Sequence, residues 1–417
     1  MRDRLRGRIV ALLGIAIVSL GMRSATTAFA PLFQRVDAEL GLGPLVLGVI
    51  GSLPPFAFAA AGFVTPWLSR RFGIDASIVI ATAMIAGGQI VRSLGTEAGL
   101  IIASTAVATI GIGIGNVLLP VIVKRYFPER IGVLTAVYAV FFSLSGTSPA
   151  FVSVPLADAV GWRMALASWA ITSLLALVPW IILAAGGRGA DPVAVPSATD
   201  VPVRVSRAPL AWALALVLFS SGLVSHGAAA WLPLILGQYA GMDEASAATH
   251  FGIALAVGIP SAVLVPLIAV RTIPATIVVA LAGLLGCGGW IGLLVAPQSV
   301  PALWTFMLGC GTLSFALVLV QVAVRAASPR VAVRLSAFVQ TFAYVGAGLT
   351  VLGLGLLHDL TSGWVAPLVV FAVLAALPLA VLPIMAKPGL VDDPRDAAEE
   401  ERDLAAEPDA TPDRLVR

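Results

Sequence analysis

Charge is scarce in this chain, and acidic charge is scarcest where a soluble fold would need it. Of 417 residues only 11% are charged while 59% are hydrophobic, and the mean hydropathy is +1.00. So little polar surface cannot coat an aqueous α/β domain, which excludes that class. Asp37, Glu39, Asp75, Glu97, Glu129, Asp158, Asp243, Glu244 and Asp359 all fall at the ends of apolar runs or between them. His226, His250 and His358 stand far apart without metal-ligand spacing, so no clustered catalytic or metal centre is expected, and the chain reads as a non-enzyme without metal or cofactor. Cys287 and Cys310 sit inside apolar runs, where packed thiols are expected and a structural disulfide is not. The glycines from Gly111 to Gly115 lack the following Lys and Ser or Thr of a phosphate loop, and their spacing fits a close helix contact instead.

What remains is apolar sequence in long runs. A bilayer core needs roughly 20 apolar residues per helix, and backbone groups away from water must be satisfied within the segment. Spans are expected near 9–33, 45–68, 75–95, 99–123, 131–155, 162–185, 210–236, 246–270, 273–295, 300–324, 332–356 and 363–385. The chain is therefore expected to be an all-α membrane protein of about twelve transmembrane helices. The basic lead of Arg2, Arg4, Arg6 and Arg8 invites a signal-peptide reading, but the following apolar run is too long for one.

Lys and Arg concentrate in cytoplasmic loops. Arg70, Arg71, Lys124, Arg125, Arg130, Arg188, Arg204, Arg207, Arg271, Arg325, Arg330, Arg334 and Lys387 fall on the side of the N-terminal arginines. The opposite loops hold Arg35, Arg92 and Arg163. Both termini are thus expected in the cytoplasm, and the net charge of +3 reflects this bias and not nucleic-acid binding. Trp67, Trp162, Trp212 and Trp364 near span ends are expected as interfacial anchors.

The chain divides into an N-terminal six-helix bundle at 1–185, a Gly/Pro/Ser-rich linker at 186–208, a C-terminal six-helix bundle at 209–386 and an acidic tail at 387–417 expected to be disordered. The two bundles share features at a nearly constant offset. Pro66 with Arg71 matches Pro266 with Arg271, Ala30-Pro31-Leu32 matches Leu232-Pro233-Leu234, and Arg125 with Pro128 matches Arg325 with Pro329. Parallel repeats of this kind build two pseudo-symmetric bundles around a cavity near the midplane, opened alternately to each side.

The stretch Gly111-Ile-Gly-Ile-Gly-Asn116-Val-Leu-Leu-Pro120, continuing through Lys124-Arg125-Tyr126-Phe127-Pro128-Glu129-Arg130 to Tyr138, resembles the major facilitator superfamily, and within it the branch of cyanate and 2-nitroimidazole transporters. Gly161-Trp162-Arg163, Ala230-Trp231-Leu232-Pro233 and Gly258-Ile259-Pro260 support the resemblance, which runs over nearly the whole chain. In the first span that branch typically carries Asn-Leu-Arg-Pro, where this chain has Gly21-Met22-Arg23-Ser24. The superfamily's Asp-Arg pair after the second span is replaced by Arg70-Arg71, so an acid-based gate there is absent or built differently. The Gly-Pro motif of drug/proton antiporters is replaced by Gly146-Thr147-Ser148-Pro149. The resemblance implies a secondary transporter acting as a monomer in the cell membrane.

Arg23 is the charge placed deepest in an apolar span, roughly fourteen residues and about 21 Å into its helix. A buried arginine costs at least about 2.5–3.5 kcal/mol on insertion scales, so something must compensate for it, and no span offers a central carboxylate. Ser19, Thr26 and Thr27 share its helical face. A guanidinium beside hydroxyls suits a small anion or a planar acceptor such as cyanate or a nitro group; the alternative is a structural arginine bonded to helix carbonyls. The repeat offset carries Arg23 onto Ser225 and His226, and His226 is either a second substrate contact and candidate proton carrier or a packed histidine. Ser336, Gln340 and Tyr344 line one face of the eleventh span, and Asn116 and Tyr138 complete the candidate substrate contacts, with interhelical bonding as the competing use.

The leading expectation is a transporter of a small anionic or polar planar solute, held by Arg23, Thr26, Thr27, Asn116, Tyr138, His226, Gln340 and Tyr344. The alternative is a promiscuous drug efflux pump, which would want a roomy aromatic pocket and an intramembrane acid; neither is evident in the sequence.

Overall fold

The computed structural model describes residues 2–186, 205–269, 274–326 and 329–391. Most of the expected linker, from 187 to 204, and the tail beyond 391 lie outside the described residues. The described chain crosses the molecule twelve times as helices. The first crossing is α1 (Arg2–Met22), α2 (Ser24–Thr27) and α3 (Phe29–Leu40) end to end, followed by α4 (Gly43–Phe72), α5 (Ile74–Ser93) and α6 (Ala98–Tyr126). Helix α7 (Ile131–Ser168) makes the fifth crossing and begins the sixth, which α8 (Ala170–Ala185) completes. The second set is α9 (Pro209–Gln238), α10 (Glu244–Ala256) with α11 (Gly258–Ala269), α12 (Ala275–Val295), α13 (Pro301–Gly311) with α14 (Ser314–Val324), α15 (Pro329–Thr361), and α16 (Val365–Ala380) with α17 (Leu382–Met385).

Local chemistry sets several of these boundaries. Gly161 at φ +80° turns the chain between the fifth and sixth crossings, a conformation that a Cβ disfavours. Asp243 caps α10 by accepting the Ser246 amide at 2.8 Å. Among the described residues ten stretches are long and apolar enough to span a membrane, one of them covering the two crossings of Pro128–Ala185. The eighth crossing escapes that length test because α10 and α11, of 13 and 12 residues, divide it.

Helices α1 to α8 pack on one another, as do α9 to α17, and the two sets meet through α4 against α15, α7 against α10 and α11, and α9 against α3 and α4. With lipid as apolar as leucine, such helices associate through close packing more than through hydrophobic burial. Gly111 is one such contact: a Cβ there would stand 2.6 Å from the Ala81 carbonyl oxygen of α5, and one on Gly115 would stand 2.9 Å from Met22 Cε. Cys287 and Cys310 are free thiols.

The face opposite the chain ends is closed between the two sets. Arg35 of α3 pairs with Asp158 of α7 at 2.7 Å and reaches across to Glu244 of α10 at 2.5 Å. Beneath it Trp231 is fully buried, with its Cζ2 2.9 Å from where a Cβ would stand on either Gly48 or Gly355. Trp231 Nε1 donates to the Val351 carbonyl at 3.1 Å. At the face carrying the chain ends, Asp75 takes the Tyr126 hydroxyl at 3.2 Å and the Arg125 guanidinium at 3.7 Å, an acid-based link between α5 and α6. Arg325, the repeat counterpart of Arg125, instead donates to the carbonyls of Met385 and Lys387 at 3.0 and 2.8 Å.

Trp162 and Trp364, expected as interfacial anchors, are only 8% and 4% exposed. Each answers a polar group: Trp364 Nε1 donates to Gln238 at 2.9 Å, and Trp162 Nε1 donates to Glu39 at 2.7 Å beside Arg163 at 2.6 Å. Those bonds from Trp162 and Arg163 hold the Glu39 carboxyl below its ordinary value of 4.5. A depressed carboxylate stabilises the fold fully above its unfolded value and loses that contribution as pH falls through the folded value. The melting temperature of Glu39→Gln should therefore lie below wild type at about pH 7 and converge on it by about pH 3; a gap of constant size across that range would show that the carboxylate charge is not what binds the indole and guanidinium.

Candidate substrate site

The first crossing is broken at the residue that carries its charge. Arg23 keeps right-handed helical angles (φ −89°, ψ −21°), so the interruption is one of hydrogen bonding and not of backbone reversal. Ser145 of α7, fully buried, presents its Oγ to the amides of both Arg23 and Ser24 at 3.0 Å, and a side chain inserted into the ladder is a recognised cause of a helix break. On the far side of the break the amides of Thr26 and Thr27 return to the Arg23 carbonyl at 3.1 Å, and their hydroxyls donate to the same oxygen at 2.8 and 3.0 Å.

A second arginine braces the same segment. Arg92 of α5 is 1% exposed, donates from Nη1 to the Ala25 carbonyl at 2.6 Å and lies 5.5 Å from the centroid of Phe29. Its expected place in a loop is corrected: it turns inward from the last turn of α5 and serves the broken helix, since backbone groups freed within a membrane must find partners inside the protein.

With its main chain held from two sides, Arg23 sends its guanidinium toward the other set of helices. Nη2 donates to Ser225 Oγ of α9 at 2.9 Å, and the guanidinium carbon lies 5.5 Å from the centroid of Phe142. The side chain passes over Gly146, where a Cβ would stand 2.8 Å from Arg23 Cδ. His226 and Tyr344 lie within electrostatic reach of it. Phe58 of α4 sets its ring edge-on to both, at 5.9 and 5.6 Å between centroids. Arg23, Thr26, Phe58, Phe142, Ser225, His226 and Tyr344 are all half-buried, so accessible surface persists in the middle of the molecule, where the two sets of helices meet. Every carboxylate among the described residues lies toward one face or the other, and none stands at this level.

The structure thus brings Arg23, His226 and Tyr344 together, with Thr26 beside them. Thr27 and Ser19 are fully buried, their hydroxyls committed to the carbonyls of Arg23 and Ile15, so they support the helix and have no share in that accessible surface. Gln340 donates to Ser336 at 2.7 Å one turn away on α15. Tyr138 and Asn116 are half-buried on α7 and α6, and no hydrogen bond joins either to Arg23 among the described residues. Sequence reasoning reached Ser225 only as the landing point of the repeat offset, and it missed Ser145, Gly146, Phe58 and Phe142 as parts of the site. Phe142 carried a faint signal in its place four residues beyond Tyr138 on one helical face.

Residues 11–351 match the family described as Major Facilitator Superfamily. The 2-nitroimidazole transporter of Escherichia coli (strain K12) is 30% identical over 375 residues, covering 89% of this chain and 94% of that protein. Cyanate transport protein CynX of the same organism is 26% identical over 362 residues, covering 85% and 91%. Among solved structures, the peptide transporter POT in complex with sulfate superposes with a TM-score of 0.72 at 14% identity over 91% of this chain and 95% of that one, a likeness of fold alone.

Proposed function

The chain belongs to the Major Facilitator Superfamily and is a multi-pass membrane transporter, and on that premise we propose that it carries a small anionic or polar planar solute through the cleft at Arg23 by alternating access. One observation carries the reading: Arg23 holds a full positive charge in the middle of the molecule, and its partners there among the described residues are neutral, the Ser225 hydroxyl and the face of Phe142. A planar guanidinium with free donors recognises an anion or an electron-rich planar acceptor through charge-assisted hydrogen bonds. Cyanate-like anions and nitroimidazole-like compounds both fit that description, and relatives with those names lie among the similar proteins. His226 and Tyr344 face the same space and would add hydrogen bonds, and Gln340, Asn116 and Tyr138 would join as the helices move. In this proposal the six-crossing sets at 1–185 and 209–386 rock as units about the site, the face carrying the chain ends is cytoplasmic by its excess of arginine and lysine, the protein works as a monomer in the cell membrane, and His226 is the candidate for any proton coupling.

A specific observation supports the second reading, promiscuous efflux of apolar drugs. Phe58 and Phe142, which sequence reading missed, join Tyr344 and the His226 ring as a group of aromatic rings about Arg23. Ligand-induced thermal stabilisation of purified protein separates the two, because a ligand that binds the native state raises its apparent stability. Small anions or nitroimidazoles should raise the melting temperature of wild type and leave Arg23→Gln unmoved. Stabilisation of both proteins alike, chiefly by lipophilic drugs, would replace the first reading with the second.

A further inference from the structure

The partners of Arg23 bear on how the transporter turns over as well as on what it binds. A carrier alternates by closing both faces around its centre, which strips water from whatever is left there. At that centre Arg23 presents a guanidinium bonded to a neutral hydroxyl, Ser225 Oγ at 2.9 Å, over the ring of Phe142. The groups facing it from the other helices, His226 of α9 and Tyr344 of α15, carry no negative charge in their ordinary states near neutrality. The acids among the described residues belong to the two faces, Asp75 and Glu129 among them at one, and Glu39, Asp158, Asp243 and Glu244 at the other. Occluding the empty site therefore encloses an uncompensated charge, whereas occluding it with a monoanion encloses a neutral pair.

We infer that this protein is an anion exchanger, which reorients readily only with an anion on Arg23 and so moves one anion outward for each one inward. The inference rests on the reading of Arg23 as the anion contact. The charge penalty on occlusion falls on the return of the empty carrier, a step that net transport needs and exchange avoids. Ser225 softens the penalty without cancelling it, since a hydroxyl supplies a dipole and no counter-charge. One-for-one exchange of like anions also moves no net charge, while return of the empty carrier moves the charge of Arg23 through the membrane field.

The test uses the full chain in liposomes loaded with radiolabelled cyanate. Efflux into medium containing unlabelled cyanate should be faster than efflux into cyanate-free medium by at least about tenfold, less than the roughly 70-fold that the lower end of an unpaired arginine's cost at a membrane centre would give, because Ser225 softens it. The exchange rate should not respond to an imposed potassium-diffusion potential. Ser225→Asp places a counter-charge on the group that Arg23 already contacts, and should bring the two efflux rates together even where apparent affinity falls. Ser225→Ala removes the neutral acceptor and should widen their ratio. Saturable wild-type efflux that is lost in Arg23→Gln yet runs equally fast with and without external cyanate would overturn exchange and leave the anion site standing. A large ratio that persists in Ser225→Asp would overturn the charge account. Absence of any saturable cyanate flux, with no small anion raising the melting temperature of wild type, would remove the anion site itself, and the exchange inference with it.

Discussion

Gly146→Leu is expected to lower kcat/KM for transport by roughly a hundredfold while every polar group of the site remains in the sequence. A Cβ at this position would stand 2.8 Å from Arg23 Cδ and 3.2 Å from its Nε, well inside contact distance. Arg23 cannot retreat along its own helix, because the Ser145 hydroxyl fixes its amide and two threonines load its carbonyl. The leucine must therefore push the guanidinium off Ser225, at about 1–3 kcal/mol for overpacking and about 1.5–3 kcal/mol for a charged hydrogen bond lost or bent. Gly146→Ala, with a smaller intrusion on a flexible side chain, should sit between wild type and leucine. Transport by proteoliposomes measures the effect, and thermal unfolding separates it from misfolding. Full transport in Gly146→Leu would mean that the guanidinium does not need its observed path, and Arg23 would become a structural residue.

The fold was legible because lipid imposes length and apolarity on each crossing, and those are properties of contiguous sequence. The eighth crossing shows where helix length alone fails: its apolar run at 246–270 was legible, yet it is built as α10 and α11, each too short singly to pass a length test. Arg23 was legible for a related reason, since a full charge deep in an apolar span is costly and rare. The break at Arg23 was not, because its backbone angles are ordinary and its cause lies on α7, at a serine 122 positions away. Arg92 was read as a loop residue because its position near a helix end says nothing about inward rotation; only the Ala25 carbonyl and the Phe29 ring explain where it points. Thr27 shows the converse. Its spacing from Arg23 places it one turn away on the same side of an ideal helix, yet the break gives its hydroxyl to the main chain. Short-range periodicity thus found the polar cluster, while contacts between distant spans decided which of its members keep accessible surface at the centre.

Gly51→Leu is expected to hold the protein open on the side that is closed in this structure. A Cβ on Gly51 would stand 2.4 Å from Ala230 Cβ and 3.2 Å from Val351 Cγ1, and the alanine Cβ is fixed to the backbone of α9 with no torsion by which to move aside. Relief therefore requires α4 to part from α9 and α15, the three helices whose contact closes this face around Trp231. Overpacking of about 1–3 kcal/mol falls on the closed form alone, since parted helices have room for the side chain. Two conformers separated by a few kcal/mol would exchange majority under that load, with the closed population reduced by roughly 5- to 150-fold. Spin labels on Leu94→Cys and Val295→Cys, exposed positions near the closed face on the two sets of helices, report the change as an inter-label distance once Cys287 and Cys310 are replaced by alanine. The distance should lengthen in Gly51→Leu relative to Gly51, and transport should fall by tenfold or more because a carrier held on one side cannot complete its cycle. An unchanged distance with unchanged transport would show that α4 tolerates the side chain in the closed form, and that the glycine contact with Ala230 is not what permits closure.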